Sequence, residues 1–270
     1  MIDLHCHLLP GIDDGSACVS MSLEMARIAF EDGITDTVCT PHIYPWVYPN
    51  EQLDIRRRVD VLARQLQEAG LSLRITSGAE IQIVPDLLQG LRSGRMPTLN
   101  QGRYVLCEPP HFSVPHRFAE LIEDLLISGY VPIIAHPERL TWLDEEHYDW
   151  FVDAAFAGAW IQVTANALTG RFGREARRWS ERFLDDGLVH LIASDGHDDR
   201  HRLPTLSAGL RIAEQWIGAA EAQRLVLDRP RSVLDNLDPL SVVPPPGLAE
   251  DDVFNESWID DAATNPTSWE

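Results

Sequence analysis

Short apolar, β-branched runs alternate along the chain with longer amphipathic stretches. The runs read as strands beginning near Ile2, Thr37, Leu73, Tyr104, Val131, Trp160 and Val189. Between them the spacing predicts helices over Ser20–Asp32, Glu51–Ala69, Pro85–Arg92, Pro115–Ser128, Asp144–Ala157 and Gly173–Asp186, with Thr205–Trp216 and Ala219–Leu227 to follow. Leu121, Ile122, Leu125 and Leu126 show the 3.6-residue period of a helix with one apolar face. Gly33, Gly70, Gly129, Gly158 and Gly187 punctuate helix ends. Seven β/α units in a row imply an α/β fold with a parallel sheet, closed or nearly closed into a barrel. The alternative, an open doubly wound sheet, usually carries G-x-G-x-x-G after its first strand, and that motif is absent.

Composition narrows the function classes. Of 270 residues, 42 are acidic and 22 basic, a net charge of -20 that argues against nucleic-acid or anionic-membrane binding. All the basic residues are arginine, which excludes Schiff-base chemistry or a carboxylated-lysine metal bridge. No apolar run approaches the roughly 20 residues of a membrane span. The first residues show neither the basic nor the apolar region of a signal peptide. Cys6, Cys18, Cys39 and Cys107 form no CxxC pair and read as reduced thiols, so a cytoplasmic location is expected. After residue 243 the pattern changes. Pro244-Pro245-Pro246-Gly247 reads as a stiff linker, and Leu248–Glu270, with seven carboxylates and no arginine, as a disordered acidic tail. The expected organisation is a domain over residues 1–243 and a linker and tail over 244–270.

The candidate chemistry lies at strand ends. His5 and His7, two apart, project from one face of the first strand, and the following turn brings Asp13 and Asp14 back toward them. His42 ends the second strand, Glu80 the third, Glu108 the fourth, His136 the fifth, and Asp195 and His197 the last. In a β/α barrel those ends share one face. One divalent ion takes about four to six such ligands, so this set suggests two or three ions with a bridging carboxylate. Mixed nitrogen and oxygen donors suit manganese, iron or zinc better than calcium. Three dications against the ligand carboxylates would leave a positive site that attracts a phosphate dianion. Arg139 and Arg202 follow the ligands closely, and planar guanidinium groups chelate phosphate oxygens.

Ile2–His7, Asp13-Asp14-Gly15, Thr40-Pro41-His42, Gly78-Ala79-Glu80, Ala135–Arg139, Ser194–His197 and a closing Arg229–Asn236 resemble the polymerase-and-histidinol-phosphatase (PHP) superfamily. Within it they are most similar to bacterial protein-tyrosine phosphatases of capsular and exopolysaccharide loci. The resemblance implies a distorted (β/α)7 barrel with a trinuclear, usually manganese-dependent centre. It implies that His5, His7, Glu80 and Asp195 hold one ion, Glu80, Glu108 and His136 a second, and Asp14, His42 and His197 a third. Asp13 is the alternative to Asp14. Arg139 and Arg202 fall where the family binds phosphate, with Arg200 the alternative to Arg202. The implied partner is a phosphotyrosyl protein, a cognate tyrosine autokinase. The tail lies outside the resemblance.

The expected reaction is direct hydrolysis, a metal-bridged hydroxide attacking phosphorus in line, with Asp199 or His201 as general acid. Tyr44, Trp46, Tyr48 and Phe112, in the loops after the second and fourth strands, are placed either to flank a phosphotyrosine ring or to pack those loops. Thiol-based tyrosine phosphatase chemistry is excluded, because Cys-x5-Arg is absent: the residues six after each cysteine are Ile12, Glu24, Pro45 and Ser113. The rival readings are a PHP phosphatase acting on histidinol phosphate or a nucleotide, a metal amidohydrolase, and a non-catalytic kinase adaptor.

Overall fold

The computed structural model describes residues 1–44 and 46–249. Nine parallel-paired strands lie among the described residues: β1 (Ile2–Cys6), β2 (Asp36–Cys39), β3 (His42–Ile43), β4 (Arg74–Ser77), β5 (Glu80–Gln82), β6 (Tyr104–Glu108), β7 (Val131–Ala135), β8 (Trp160–Thr164) and β9 (Val189–Ala193). They form two sheets, β1-β2-β4 and β3-β5-β6-β7-β8-β9, rather than the single sheet of seven strands expected. The second and third expected strands are each broken in two. Pro41, between β2 and β3, has no N–H to give to a ladder, and the matching step between β4 and β5 falls at Gly78-Ala79. Backbone bonds carry the chain across these steps: Gly78 N–H donates to Cys39 O at 2.9 Å and Glu80 N–H to Pro41 O at 3.2 Å. Beyond β9, Asp195 N–H donates to His5 O at 2.9 Å, and His7 N–H to Gly196 O at 2.8 Å. The edge of the larger sheet is thereby bound to β1 of the smaller one.

The principal helices are α1 (Val19–Glu31), α2 (Gln52–Glu68), α3 (Leu87–Arg92), α4 (Phe118–Ile127), α5 (Glu145–Ala157), α6 (Ala165–Leu168), α7 (Gly173–Asp185), α8 (Ser207–Ile217), α9 (Ala219–Gln223) and α10 (Arg229–Leu234). On α4 the 3.6-residue period buries Phe118, Ile122 and Leu125. All five glycines expected at helix ends take positive φ. A smaller core joins alternate strand residues: Tyr104 and Leu106 on β6, Val131, Ile133 and Ala135 on β7, Leu191 and Ala193 on β9. The two-residue period continues those rows into Glu108 and Asp195, so the strand-end carboxylates sit directly on this core.

The proline-rich stretch lies against the domain. Arg229 donates to the carbonyls of Val243 (2.9 Å) and Pro244 (2.8 Å), and Gly247 N–H donates to Gly187 O at 3.0 Å. A Cβ on Gly247 would stand 2.1 Å from Asp186 O, so only glycine fits this approach. The acidic tail from residue 250 lies outside the described residues.

Candidate metal centre

Backbone geometry gathers the strand ends. The Asp3 carboxylate, fully buried, accepts from the backbone N–H of Ser194 (3.0 Å) and of His5 (3.3 Å), tying β1 to the segment after β9. His136 and Asp195 both adopt left-handed backbone, at φ 32° and 50°. Positive φ is uncommon away from glycine, and such strain clusters at functional sites. Here it turns each side chain at its strand's end toward the same point.

The imidazole and carboxylate atoms meet there. His5 Nε2 lies 3.2 Å from His7 Nε2, 3.2 Å from Glu80 Oε2 and 3.4 Å from Asp195 Oδ1. His7 Nε2 lies 3.2 Å from Glu80 Oε2 and 3.5 Å from Asp195 Oδ1. His136 Nε2 is 2.8 Å from Glu80 Oε1 and 3.7 Å from Glu108 Oε1. His42 Nδ1 is 2.9 Å from Glu80 Oε2, and its Nε2 is 3.3 Å from Asp14 Oδ1, which is 3.6 Å from His197 Nε2. Three groups among the described residues could hold an ion, each with ligand atoms within 4.8 Å of one another: His7, Asp14, His42 and His197; His5, Glu80, His136 and Asp195; His42, Glu80 and Glu108. All nine residues expected as ligands are therefore brought together. His7 faces both His5 and His197, its ring 5.3 Å from the first and 3.8 Å from the second.

These atoms fit divalent cations. Glu80 Oε2, Asp195 Oδ1, His42 Nδ1 and His197 Nε2 are buried and make no hydrogen bond among the described residues, a costly state unless another group satisfies them. Ligands about 2.0–2.1 Å from a tetrahedral ion stand about 3.3 Å apart, close to the 3.2–3.5 Å spacings among His5, His7, Glu80 and Asp195. Burial opposes ionisation of the two buried acids. It is outweighed at Glu80 by His5 and His42, and at Asp195 by Arg202 and Arg139, which hold both carboxyls well below the ordinary range. Burial, helped by His7, drives His197 down to about 4, leaving the neutral imidazole that ligation requires.

The alternatives left open by sequence separate by geometry. Asp13 accepts from His7 Nδ1 at 2.8 Å, orienting that imidazole from behind, and from the backbone N–H of His42 at 3.0 Å. It is Asp14 that faces His42 and His197. Arg139 and Arg202 both donate to Asp195 Oδ2, the latter at 2.5 Å, whereas the Arg200 side chain is 81% exposed. Asp199 and His201 lie on the turn capped by Asp198, and among the described residues neither side chain bonds to the cluster. Tyr44 donates its hydroxyl to Glu108 Oε2 and Tyr48 stacks on His42 at 5.8 Å, while Trp46 and Phe112 project into solvent. Sequence reasoning missed Gln162, whose Oε1 lies 2.9 Å from His5 Nδ1, and Asp3. The signal for Gln162 was present: of the seven strands expected from sequence, the one that became β8 alone has no metal-type residue at its end, yet it carries a polar side chain mid-run.

Comparison with known proteins places this geometry. Residues 1–235 match the profile of the family described as capsular polysaccharide synthesis, CpsB/CapC. The tyrosine-protein phosphatase YwqE of Bacillus subtilis is 36% identical over 219 residues, covering 81% of this chain and 86% of that protein. The putative tyrosine-protein phosphatase CapC of Staphylococcus aureus is 33% identical over 202 residues, covering 75% and 79%. A crystal structure from work on YwqE and on CpsB of Streptococcus pneumoniae, described as unique metal-dependent tyrosine phosphatases, superposes with a TM-score of 0.83 at 33% identity, covering 91% of this chain and 98% of that one. A β-aspartyl dipeptidase of Fervidobacterium islandicum, at 16% identity and a TM-score of 0.52, shares the fold alone. The chain belongs to the CpsB/CapC family.

Proposed function

We propose that this protein is a metal-dependent protein-tyrosine phosphatase, hydrolysing the phosphomonoester of a phosphotyrosyl protein of capsule or exopolysaccharide synthesis. The observation that carries the reading is the meeting of nine ligand-type side chains and two guanidinium groups at one mouth of the sheets. The relatives' names support the same activity. The cognate substrate is a tyrosine autokinase, and the site of action is the cytoplasm. No described helix is long and apolar enough to cross a membrane. The bonds between β1 and the segment after β9 support reading the two sheets as one distorted (β/α)7 barrel. The profile match over residues 1–235 supports a catalytic domain of residues 1–243 with 244–270 as an appendage.

His5, His7, Glu80 and Asp195 would hold one ion, Glu80, Glu108 and His136 a second, and Asp14, His42 and His197 a third, with manganese ahead of iron or zinc. When bound, such ions supply Lewis-acid activation of water and of phosphoryl oxygens. Arg139 and Arg202 bind the remaining phosphoryl oxygens and neutralise charge that develops on them. Tyr44, Trp46, Tyr48 and Phe112 flank the aromatic ring. A tyrosinate leaves readily, its conjugate acid having a pKa of about 10, and Asp199 or His201 supplies the proton.

The test is hydrolysis by chelated protein reloaded with Mn, Fe, Zn or Mg in turn, on a phosphotyrosyl peptide, histidinol phosphate and a nucleoside monophosphate. The expected result is metal-restored turnover of the peptide above the small substrates, abolished by His136→Ala. Preference for histidinol phosphate or nucleotide, or turnover that survives His136→Ala, overturns the proposal.

A further inference from the structure

Phe172 lies beside Arg139 and Arg202, the two arginines proposed to bind phosphate, and belongs to none of the groups described above. It sits in the turn between α6 and α7, flanked by Gly170 and Gly173, both at positive φ. Arg171 N–H donates to Asn166 O, and Gly173 N–H to Gly170 O, each at 3.0 Å, so the backbone of the turn is held on both sides of the ring. Arg171 also reaches across to the carbonyl of His201 at 3.4 Å, joining this turn to the loop that carries Arg202. The Cζ of Arg139 stands 4.3 Å from the Phe172 ring centroid, and that of Arg202 stands 5.9 Å from the same centroid.

Sheet order explains the meeting. β8 lies between β7 and β9, so the segment after β8 emerges between those bearing Arg139 and Arg202. Two guanidinium groups brought to one acceptor, Asp195 Oδ2, repel each other. An aromatic face attracts both through its quadrupole and restricts where each can lie. We infer that Phe172 is a positioning residue that holds Arg139 and Arg202 as a single two-armed clamp for the phosphoryl dianion. The inference rests on the phosphatase reading given above. Phe172 itself touches no ligand-type residue among the contacts described, so its effect passes through the arginines.

Phosphate affinity tests this without turnover. Calorimetric titration of inorganic phosphate into the manganese-loaded full chain is compared for the wild type, Phe172→Leu and Phe172→Tyr, with bound metal quantified in each. Phe172→Leu keeps an apolar side chain and removes the ring; it is expected to weaken phosphate binding about ten-fold at unchanged metal content. Phe172→Tyr is expected to return affinity to within about two-fold of wild type, because it restores the ring face. In an Arg139→Met background the same Phe172→Leu change is expected to cost less than about three-fold, since most of its route of action is gone. A space-filling role predicts equal losses in both backgrounds, and that outcome overturns the inference, as does an unmoved phosphate affinity. Phe172→Met provides the same comparison if Phe172→Leu does not fold. Failure of the wild type to hydrolyse phosphotyrosyl peptide, with the phosphate pattern intact, would instead strike the phosphatase reading.

Discussion

Gln162 Oε1 lies 2.9 Å from His5 Nδ1, and both side chains are fully buried. A ring that donates from Nδ1 keeps its lone pair on Nε2, the atom that faces His7, Glu80 and Asp195. Partners of this kind fix the tautomer and orientation of a metal-binding histidine, and removing one typically costs about 10–100-fold in metal affinity. Gln162→Leu is therefore expected to raise the manganese concentration for half-maximal activity by that factor. Near-normal turnover should return at saturating metal. Metal titration of chelated protein measures it, and an unchanged half-saturation point would remove Gln162 from the site.

Glu80 is the carboxylate that four imidazoles of the candidate centre share. Its two oxygens stand 2.8–3.2 Å from His5, His7, His42 and His136. Glu80→Gln keeps the shape and removes the charge, leaving four imidazoles around a neutral amide. Loss of more than one bound ion is expected, with turnover down at least about 10³-fold, since the lost charge stabilisation amounts to several kcal/mol. Glu108→Gln, which removes a carboxylate at one edge of the cluster, should cost less on both counts. Elemental analysis alongside kinetics checks the pair, and equal effects of the two changes would contradict a shared role for Glu80.

The positions of His42, Glu80, Glu108, His136 and Asp195 were legible because each follows an apolar run directly, and strand ends in a parallel sheet converge. The breaks at Thr40-Pro41 and Gly78-Ala79 were not, since a two-residue step in a ladder leaves the apolar pattern on either side intact. That Asp14 rather than Asp13 faces His42 and His197 depends on how the turn after β1 folds back, and adjacent aspartates carry no periodic signal. Gln162 and Phe172 act on other side chains across strands, through contacts far apart in sequence. Arg229 read only as part of a closing motif; its burial depends on α10 packing and on carbonyls fourteen and fifteen residues later.

That arginine carries a separate expectation. Arg229 is 1% exposed, pairs with Glu221 at 2.7 Å and donates to the carbonyls of Val243 and Pro244. Arg229→Met leaves Glu221 buried with only the half-buried Arg224 as partner and frees the 243–244 carbonyls. Breaking a buried ion pair from one side costs about 3–5 kcal/mol. A drop of that order in unfolding free energy is expected by denaturant titration. The double change Arg229→Met with Glu221→Leu should recover part of it, since no buried charge is then stranded. A double variant no more stable than the single one would refute the assignment.

His190, on β9, gives the fold a titration distinct from that of the metal centre. Its Nδ1 lies 3.1 Å from two backbone groups, the Leu188 carbonyl and the Ile161 N–H, and accepts from the latter, while Trp160 stacks on the ring at 5.0 Å. Protonating Nδ1 would break that bond inside the sheet. Burial, with the nearby Arg229, pushes the imidazole down to about 3 from an ordinary 6.5. In the unfolded chain His190 takes up its proton as pH falls through 6.5, while the native state refuses it until about 3. The unfolded state thus binds more protons across that window, and stability declines as pH falls through it. At 1.36 kcal/mol per unit, the loss from this group by pH 4.5 is about 2–3 kcal/mol. His190→Gln keeps an acceptor and cannot titrate. It is expected to be less stable than wild type at pH 7.5, yet to lose about 2–3 kcal/mol less between pH 7.5 and 4.5. Denaturant midpoints of both proteins at the two pH values give the difference directly, and parallel pH profiles would show that His190 takes up its proton in the native sheet as readily as in the unfolded chain.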